Sequence, residues 1–160
     1  MASAIISFLA GAGETMDRSV DLVALLELET ESRSPEQEPR VVPPLGEHIA
    51  IAVDDAFAFC YPHIIDGWRG AGAELSFFSP LADEGPDPKA DAIFLPGGYP
   101  ELHAAQLAQA DRFLASLRRH ADQKPVYGEC GGYMLLGDGL EDASGERHAL
   151  AGLLRLETSF

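Results

Sequence analysis

The chain has 160 residues, 46% of them hydrophobic, with 26 Asp and Glu against 11 Lys and Arg for a formal net charge of −15. That length fits one domain, or one domain plus a piece of another, and the apolar content excludes a wholly disordered chain. The acidity argues against nucleic acid and against an anionic membrane surface as partners, because both demand a basic face.

No apolar run is long enough to span a bilayer. The Ala4–Ala12 stretch is apolar but short. It lacks a basic segment before it and runs into Glu14 and Asp17, so no signal peptide is expected. The two cysteines, Cys60 and Cys130, make no disulfide framework, which suits a reducing cytoplasmic setting.

The first 34 residues carry one helical pattern, with Val20, Leu22, Val23, Leu25, Leu26 and Leu28 at roughly helical spacing and Asp17 or Ser19 as candidate caps. Ser32–Pro44 has four prolines and no apolar period, which is the composition of a linker. The expected organisation is a remnant of a preceding domain plus linker over 1–46, and a second domain over 47–160.

From His48 the pattern alternates strand and helix. Ile49–Val53 is apolar and β-branched, a buried strand. Tyr61–Ala71 reads as a helix with Pro62 in its first turn, where a missing N–H costs nothing. Leu75–Phe78 is a second strand and Ser79–Lys89 a loop. Ala92–Leu95 is a third strand, running into Pro96-Gly97-Gly98. Leu102–His120 has helical spacing, Val126–Tyr127 is a short strand, and Tyr133–Leu136 opens another helix. Asp142–Gly145 looks like a hairpin turn and Leu153–Leu156 a further strand. This order predicts an α/β fold, an open and mainly parallel sheet with flanking helices. Ligands of such sheets bind beyond the carboxyl ends of the strands, where Gly97-Gly98 and Gly131-Gly132 fall.

Val126-Tyr-Gly-Glu-Cys-Gly-Gly-Tyr-Met134 has the form of a nucleophile elbow with Cys130 as nucleophile. A strained strand-to-helix turn tolerates little beside it except glycine. The helix start offers the positive end of its dipole to an anion, and the Gly131 N–H points toward a developing oxyanion. A structural thiol is the usual state of a free cysteine. The strand before, the glycines on both sides and the helix after weigh against that. Pro96-Gly97-Gly98-Tyr99-Pro100-Glu101 also joins a strand to a helix. Alone it is an ordinary glycine turn; paired with the elbow, it is the candidate for the other half of an oxyanion hole.

Phe94-Leu-Pro-Gly-Gly-Tyr-Pro-Glu-Leu-His-Ala104 together with Pro125-Val-Tyr-Gly-Glu-Cys-Gly-Gly-Tyr-Met-Leu-Leu136 resembles the glutaminase half of cobyrinic acid a,c-diamide synthases. Asp55–Pro62, Gly72–Asp83 and Gly139–Gly152 resemble the same family, so the likeness covers about residues 47–160. Gly67-Trp68-Arg69 and Gly128-Glu129 lean toward the enzymes acting on hydrogenobyrinic acid. The resemblance implies a class I glutamine amidotransferase-like fold, incomplete at its C-terminus. It implies an ATP-dependent synthase of the vitamin B12 pathway that activates the a and c carboxylates of the corrin ring as acyl phosphates, with ammonia supplied by glutamine hydrolysis at Cys130. Gly97, Gly98 and Gly131 match the oxyanion and substrate-binding positions. Glu129 is placed to meet glutamine's amino group or simply to face outward.

No P-loop of the Walker form occurs here, so ATP and Mg²⁺ belong to the full-length enzyme and no cofactor is expected in this chain. The family's catalytic histidine lies beyond residue 160, and little or no glutaminase activity is expected of these residues alone. Of the histidines present, His48 is expected exposed, His63 and His120 on helix surfaces, His148 in the hairpin, and His103 structural. Their scatter offers no metal site. Phe57, Phe59 and Tyr61 suit a core or a domain contact. Glu101 suits a helix cap, and Asp83-Glu84 and Glu141-Asp142 suit solvated turns. The expected partners are glutamine and, through the ATP-binding domain, a corrinoid, with a homodimer through an exposed sheet edge as an option. The competing readings are a stand-alone cysteine hydrolase of similar fold, or a non-catalytic docking module.

Overall fold

The computed structural model describes residues 2–28 and 42–159. The chain divides into two compact units between residues 40 and 41. Residues 29–41, which hold most of the proline-rich segment, lie outside the described residues.

The first unit is two helices rather than one pattern, α1 (Ala2–Ser19) and α2 (Leu22–Glu27). Neither Asp17 nor Ser19 starts the second. Asp21 does, because its Oδ1 accepts the Val23 and Ala24 N–H groups at 3.1 and 3.0 Å. Apolar side chains of both helices are exposed, among them Phe8, Leu9, Val23 and Leu26. No helix among the described residues is long and apolar enough to cross a membrane.

The second unit is built on four parallel strands, β1 (His48–Ala52), β2 (Glu74–Phe78), β3 (Ala92–Leu95) and β4 (Val126–Gly128), in the order β2-β1-β3-β4. The two central strands are apolar at nearly every position, as burial on both faces requires. The period of two then sorts them. Ala50, Ala52, Ile93 and Leu95 meet Phe57, Leu107, Phe113, Leu117 and Leu135 on one face. Ile49, Ile51 and Phe94 meet Ile65 and Trp68 on the other. Those last two come from α3 (Pro62–Gly70), which carries Pro62 at its first position as expected.

Three local expectations are corrected. The Leu102–His120 pattern is not one helix: a 3₁₀ turn (Pro100–His103) leads into α4 (Ala104–Ala108), and α5 (Asp111–Ala121) starts afresh. Ala110 leaves helical geometry at ψ 67, and α5 is capped from a distance, since Asp83 Oδ1 accepts the Phe113 N–H at 2.8 Å. Asp83, in the left-handed region at φ 55, and Glu84, which accepts the Ser79 N–H, are therefore structural rather than merely solvated. Glu101, by contrast, lies inside the 3₁₀ turn and makes no side-chain cap bond to α4, whose first position is preceded by His103.

After α6 (Gly131–Leu135) a small second sheet forms from β5 (Gly139–Glu141), β6 (Arg147–Ala149) and β7 (Glu157–Ser159), in the order β6-β5-β7. The expected turn at Asp142–Gly145 joins β5 to β6, with Gly145 at φ 82. The strand expected at Leu153–Leu156 is instead a bend, because the Leu153 and Leu154 N–H groups both donate to the Leu136 carbonyl. The strand follows it as β7, parallel to β5.

Candidate active site

β4 ends at Gly128, and the chain reverses into α6 through Glu129 and Cys130. Cys130 has φ 49 and ψ −114, a conformation that costs a side-chain-bearing residue on the order of 1–3 kcal/mol. The turn is held by the Glu129 N–H on the Leu95 carbonyl (3.1 Å) and the Gly132 N–H on the Pro96 and Glu129 carbonyls (3.1 and 2.8 Å). The strain buys presentation: Cys130 is exposed at the carboxyl end of a parallel sheet while Gly131 and Gly132 beside it are buried.

The glycine turn after β3 comes up against this elbow. A Cβ on Gly97 would sit 3.2 Å from the Cys130 Cβ, so Gly97 is directly behind the nucleophile. A Cβ on Gly131 would sit 2.6 Å from Pro100 Cδ and 3.1 Å from both the nitrogen and the oxygen of Gly98. The Gly98 and Gly131 peptides are therefore neighbours, and neither N–H is engaged by another group among the described residues. Two free, adjacent N–H groups next to a thiol are what stabilisation of a tetrahedral oxyanion requires. The Gly97 carbonyl, in contrast, is taken by the Phe59 N–H at 3.0 Å.

Glu129 is half-buried. Burial pushes the Cys60 thiol above its ordinary value, and the Glu129 carboxylate pushes it further. The second thiol of the chain thus lies within electrostatic reach of the residue preceding the nucleophile. Phe57 is fully buried in the core, but Phe59 and Tyr61 are not core residues. Phe59 bridges to Gly97 and stacks edge-on against Tyr99 at 5.1 Å. Sequence reasoning did not place Phe59 at the elbow, because its partner Gly97 is distant in the chain.

Two of the five histidines, His48 and His120, are less exposed than expected, while His63 and His148 fall where they were expected. His48 is the first residue of β1, half-buried, with Nε2 2.9 Å from Ser76 Oγ. His120 is buried rather than on the surface of α5, and its ring is held below the ordinary histidine value by burial, then by Lys124, against a smaller opposing pull from Asp91. His148 is buried in the hairpin with Nε2 2.7 Å from Asp142 Oδ2. His63 is exposed and His103 half-buried. None hydrogen-bonds the Cys130 thiol among the described residues. Asp142, Glu146 and His148 bring ligand-type atoms within 4.8 Å of one another. The Asp142 oxygens are already used: Oδ1 by the Ser144 hydroxyl and the Ser144 and Glu146 N–H groups, Oδ2 by His148. This cluster is a lock on the hairpin turn. A cavity of about 340 Å³ lined by Pro86, Ser116, Arg119, His120 and Lys124 contains no residue of the elbow.

A parallel α/β sheet with a cysteine on a strained elbow at its carboxyl end has the form of a class I glutamine amidotransferase-like fold. The fold is shared with a crystal structure of a candidate peptidase E protein from Listeria monocytogenes EGD-e, at a TM-score of 0.50 and 12% identity over 74% of this chain and 66% of that one. Residues 48–160 match the CobB/CobQ-like glutamine amidotransferase domain, and the chain belongs to that family. It is 55% identical over 157 residues to a hydrogenobyrinate a,c-diamide synthase of Brucella anthropi, covering 96% of this chain and 36% of the relative. It is 61% identical over 118 residues to the synthase of that name from Rhizobium meliloti, covering 73% and 28% respectively. The chain thus spans about a third of the length of the curated relatives it matches.

Proposed function

We propose that residues 47–160 carry the ammonia-supplying glutaminase site of a synthase that amidates the a and c carboxylates of hydrogenobyrinic or cobyrinic acid in cobalamin biosynthesis. The observation that carries this reading is Cys130 at φ 49 with the Gly98 and Gly131 peptides abutting beside it. The family match and the relatives' names support the substrate class. In this reading the Cys130 thiolate attacks the side-chain amide carbon of glutamine, and the carbonyl oxygen moves between the Gly98 and Gly131 N–H groups as it gains charge. Ammonia leaves, a thioester forms on Sγ, and water releases glutamate. In the same reading Gly97 leaves room behind the thiol, and the Glu129 carboxylate receives the substrate's ammonium.

The leaving nitrogen needs a proton, and no side chain among the described residues hydrogen-bonds the Cys130 thiol to relay one. We therefore expect slow acylation by glutamine, and little or no glutaminase activity, from these residues alone, while a reagent whose leaving group needs no proton still reacts at Cys130. ATP and Mg²⁺ would serve the carboxylate-activating part of such a synthase. The 160 residues contain no P-loop of the Walker form that would hold them, and no step here runs through them. The partners are glutamine and, in the whole enzyme, a corrinoid; the setting is cytoplasmic.

The test is intact-mass labelling with 6-diazo-5-oxo-norleucine, using Cys130→Ser as control. A single adduct that disappears in the variant is expected. A folded protein that takes up none would leave a non-catalytic docking module as the better account.

A further inference from the structure

Asp54 follows β1, well away in sequence from both glycine turns, and the glutaminase reading gives it no role. Its half-buried carboxylate accepts three hydrogen bonds, all at 2.9 Å. Oδ1 takes the Ala56 N–H; Oδ2 takes the Ser79 hydroxyl and the Leu81 N–H. Its own carbonyl takes the Phe57 N–H at 3.0 Å. One side chain therefore pins the exit of β1 to the exit of β2.

What is pinned is the seat of the candidate oxyanion loop. A Cβ on Gly98 would fall 2.1 Å from the Ala56 carbonyl oxygen, 2.7 Å from its carbon and 2.9 Å from Phe57 Cα. Gly98 rests on the Ala56–Phe57 peptide with no gap. Three residues on, the Phe59 N–H donates to the Gly97 carbonyl. The far side of Gly98 meets Gly131. The contacts run from Asp54 through Ala56 to Gly98, and from there to the peptide beside Cys130. A donor aimed at a developing charge acts only if it is held before the charge appears.

We propose that Asp54 is a positioning residue that holds the Gly98 N–H in register with the Gly131 N–H. The proposal rests on the glutaminase reading, and it concerns a residue that touches no substrate. Asparagine is a poor replacement, since its nitrogen is a donor and cannot accept the Leu81 or Ala56 N–H. Ser79→Ala removes one of the three bonds while sparing Asp54.

Two reactions of Cys130 separate positioning from collapse. The γ-4-nitrophenyl ester of glutamate acylates the thiolate: the Sγ–carbonyl carbon bond forms, charge passes through the carbonyl oxygen, and 4-nitrophenolate leaves without needing a proton. Iodoacetamide alkylates the same sulfur at a saturated carbon by displacing iodide, with no oxyanion. Both are followed by intact mass on the full chain, with the Gly98 and Gly131 amides observed by ¹⁵N NMR. Asp54→Ala and Asp54→Asn should slow acylation by about 10- to 100-fold, the cost of a misplaced group near 1 Å. Alkylation should be unchanged and the Gly98 amide should shift and exchange faster. Ser79→Ala should give the same pattern more weakly, with the fold intact. Acylation and alkylation slowing together, or a Gly98 amide unmoved in both Asp54 variants, would overturn the proposal. If the unaltered chain acylates no faster than a free thiol, the glutaminase reading fails, and the Gly98 amide still decides the role of Asp54.

Discussion

Gly98→Ala is the sharpest single perturbation of this site. The added methyl would lie 2.1 Å from the Ala56 carbonyl oxygen, where ordinary contact begins at 3.4 Å. The opposing atoms are backbone on both sides, so no rotamer change relieves the overlap. Either the Gly97-Gly98 turn or the Ala56-Phe57 turn must retreat by about 1 Å. Overpacking of this kind costs about 1–3 kcal/mol of stability. The same retreat takes the Gly98 N–H off the oxyanion position, and displacement by about 1 Å is worth on the order of 100-fold in rate, or about 2.7 kcal/mol of barrier. The assay compares ester acylation of Cys130 with thermal melting, using Gly70→Ala as reference, because a Cβ at Gly70 meets nothing within 4 Å. Gly98→Ala should melt several degrees lower and acylate about 100-fold more slowly; Gly70→Ala should do neither. A Gly98→Ala protein with unaltered melting and acylation would refute the claim that this glycine is required by close approach.

Phe113→Ala empties a fully buried position at the centre of the larger core cluster, and should lower unfolding free energy by about 3–5 kcal/mol in denaturant titration. Cys60, half-buried and raised by burial and by Glu129, should alkylate more slowly than exposed Cys130 at neutral pH, with a rate still climbing above pH 9. Glu129→Gln should speed Cys60 modestly, as read by peptide mapping. The Asp142 carboxyl is held far below the usual carboxylate range, first by the Ser144 hydroxyl and then by His148. A depressed folded value means that its contribution is complete above the unfolded value of about 3.9 and is lost as pH falls below it. Asp142→Asn should therefore weaken the hairpin at pH 7, and its difference from the unaltered protein should shrink steadily as pH falls below about 3.9, as followed by amide exchange of β5 and β6.

The alternation of strand and helix, the two-faced apolar strands and the Gly-Glu-Cys-Gly-Gly elbow were all legible from residues 48–136, because each follows from local periodicity and turn chemistry. So was the pairing of the two glycine turns, since a parallel sheet brings successive strand ends to one edge. What the residues could not show were the contacts made between elements distant in the chain. Asp83 reads as a solvated turn acid until it is seen capping α5, thirty residues on. Leu102–His120 reads as one helix until that cap starts a second. His120 reads as a surface residue because the segment that it lies against, at Pro86 and Pro88, is distant in the chain, and Leu153–Leu156 reads as a strand because its bonds to Leu136 are invisible in one dimension. Asp54 is the fullest case. Sequence by itself determined that a cysteine would stand on a glycine elbow at the end of a parallel strand. Only the tertiary structure decided that Gly98 seats on the Ala56–Phe57 peptide, and that this seat is fastened by a carboxylate 44 residues away. Such placement depends on backbone approach in three dimensions, which no spacing along the chain encodes.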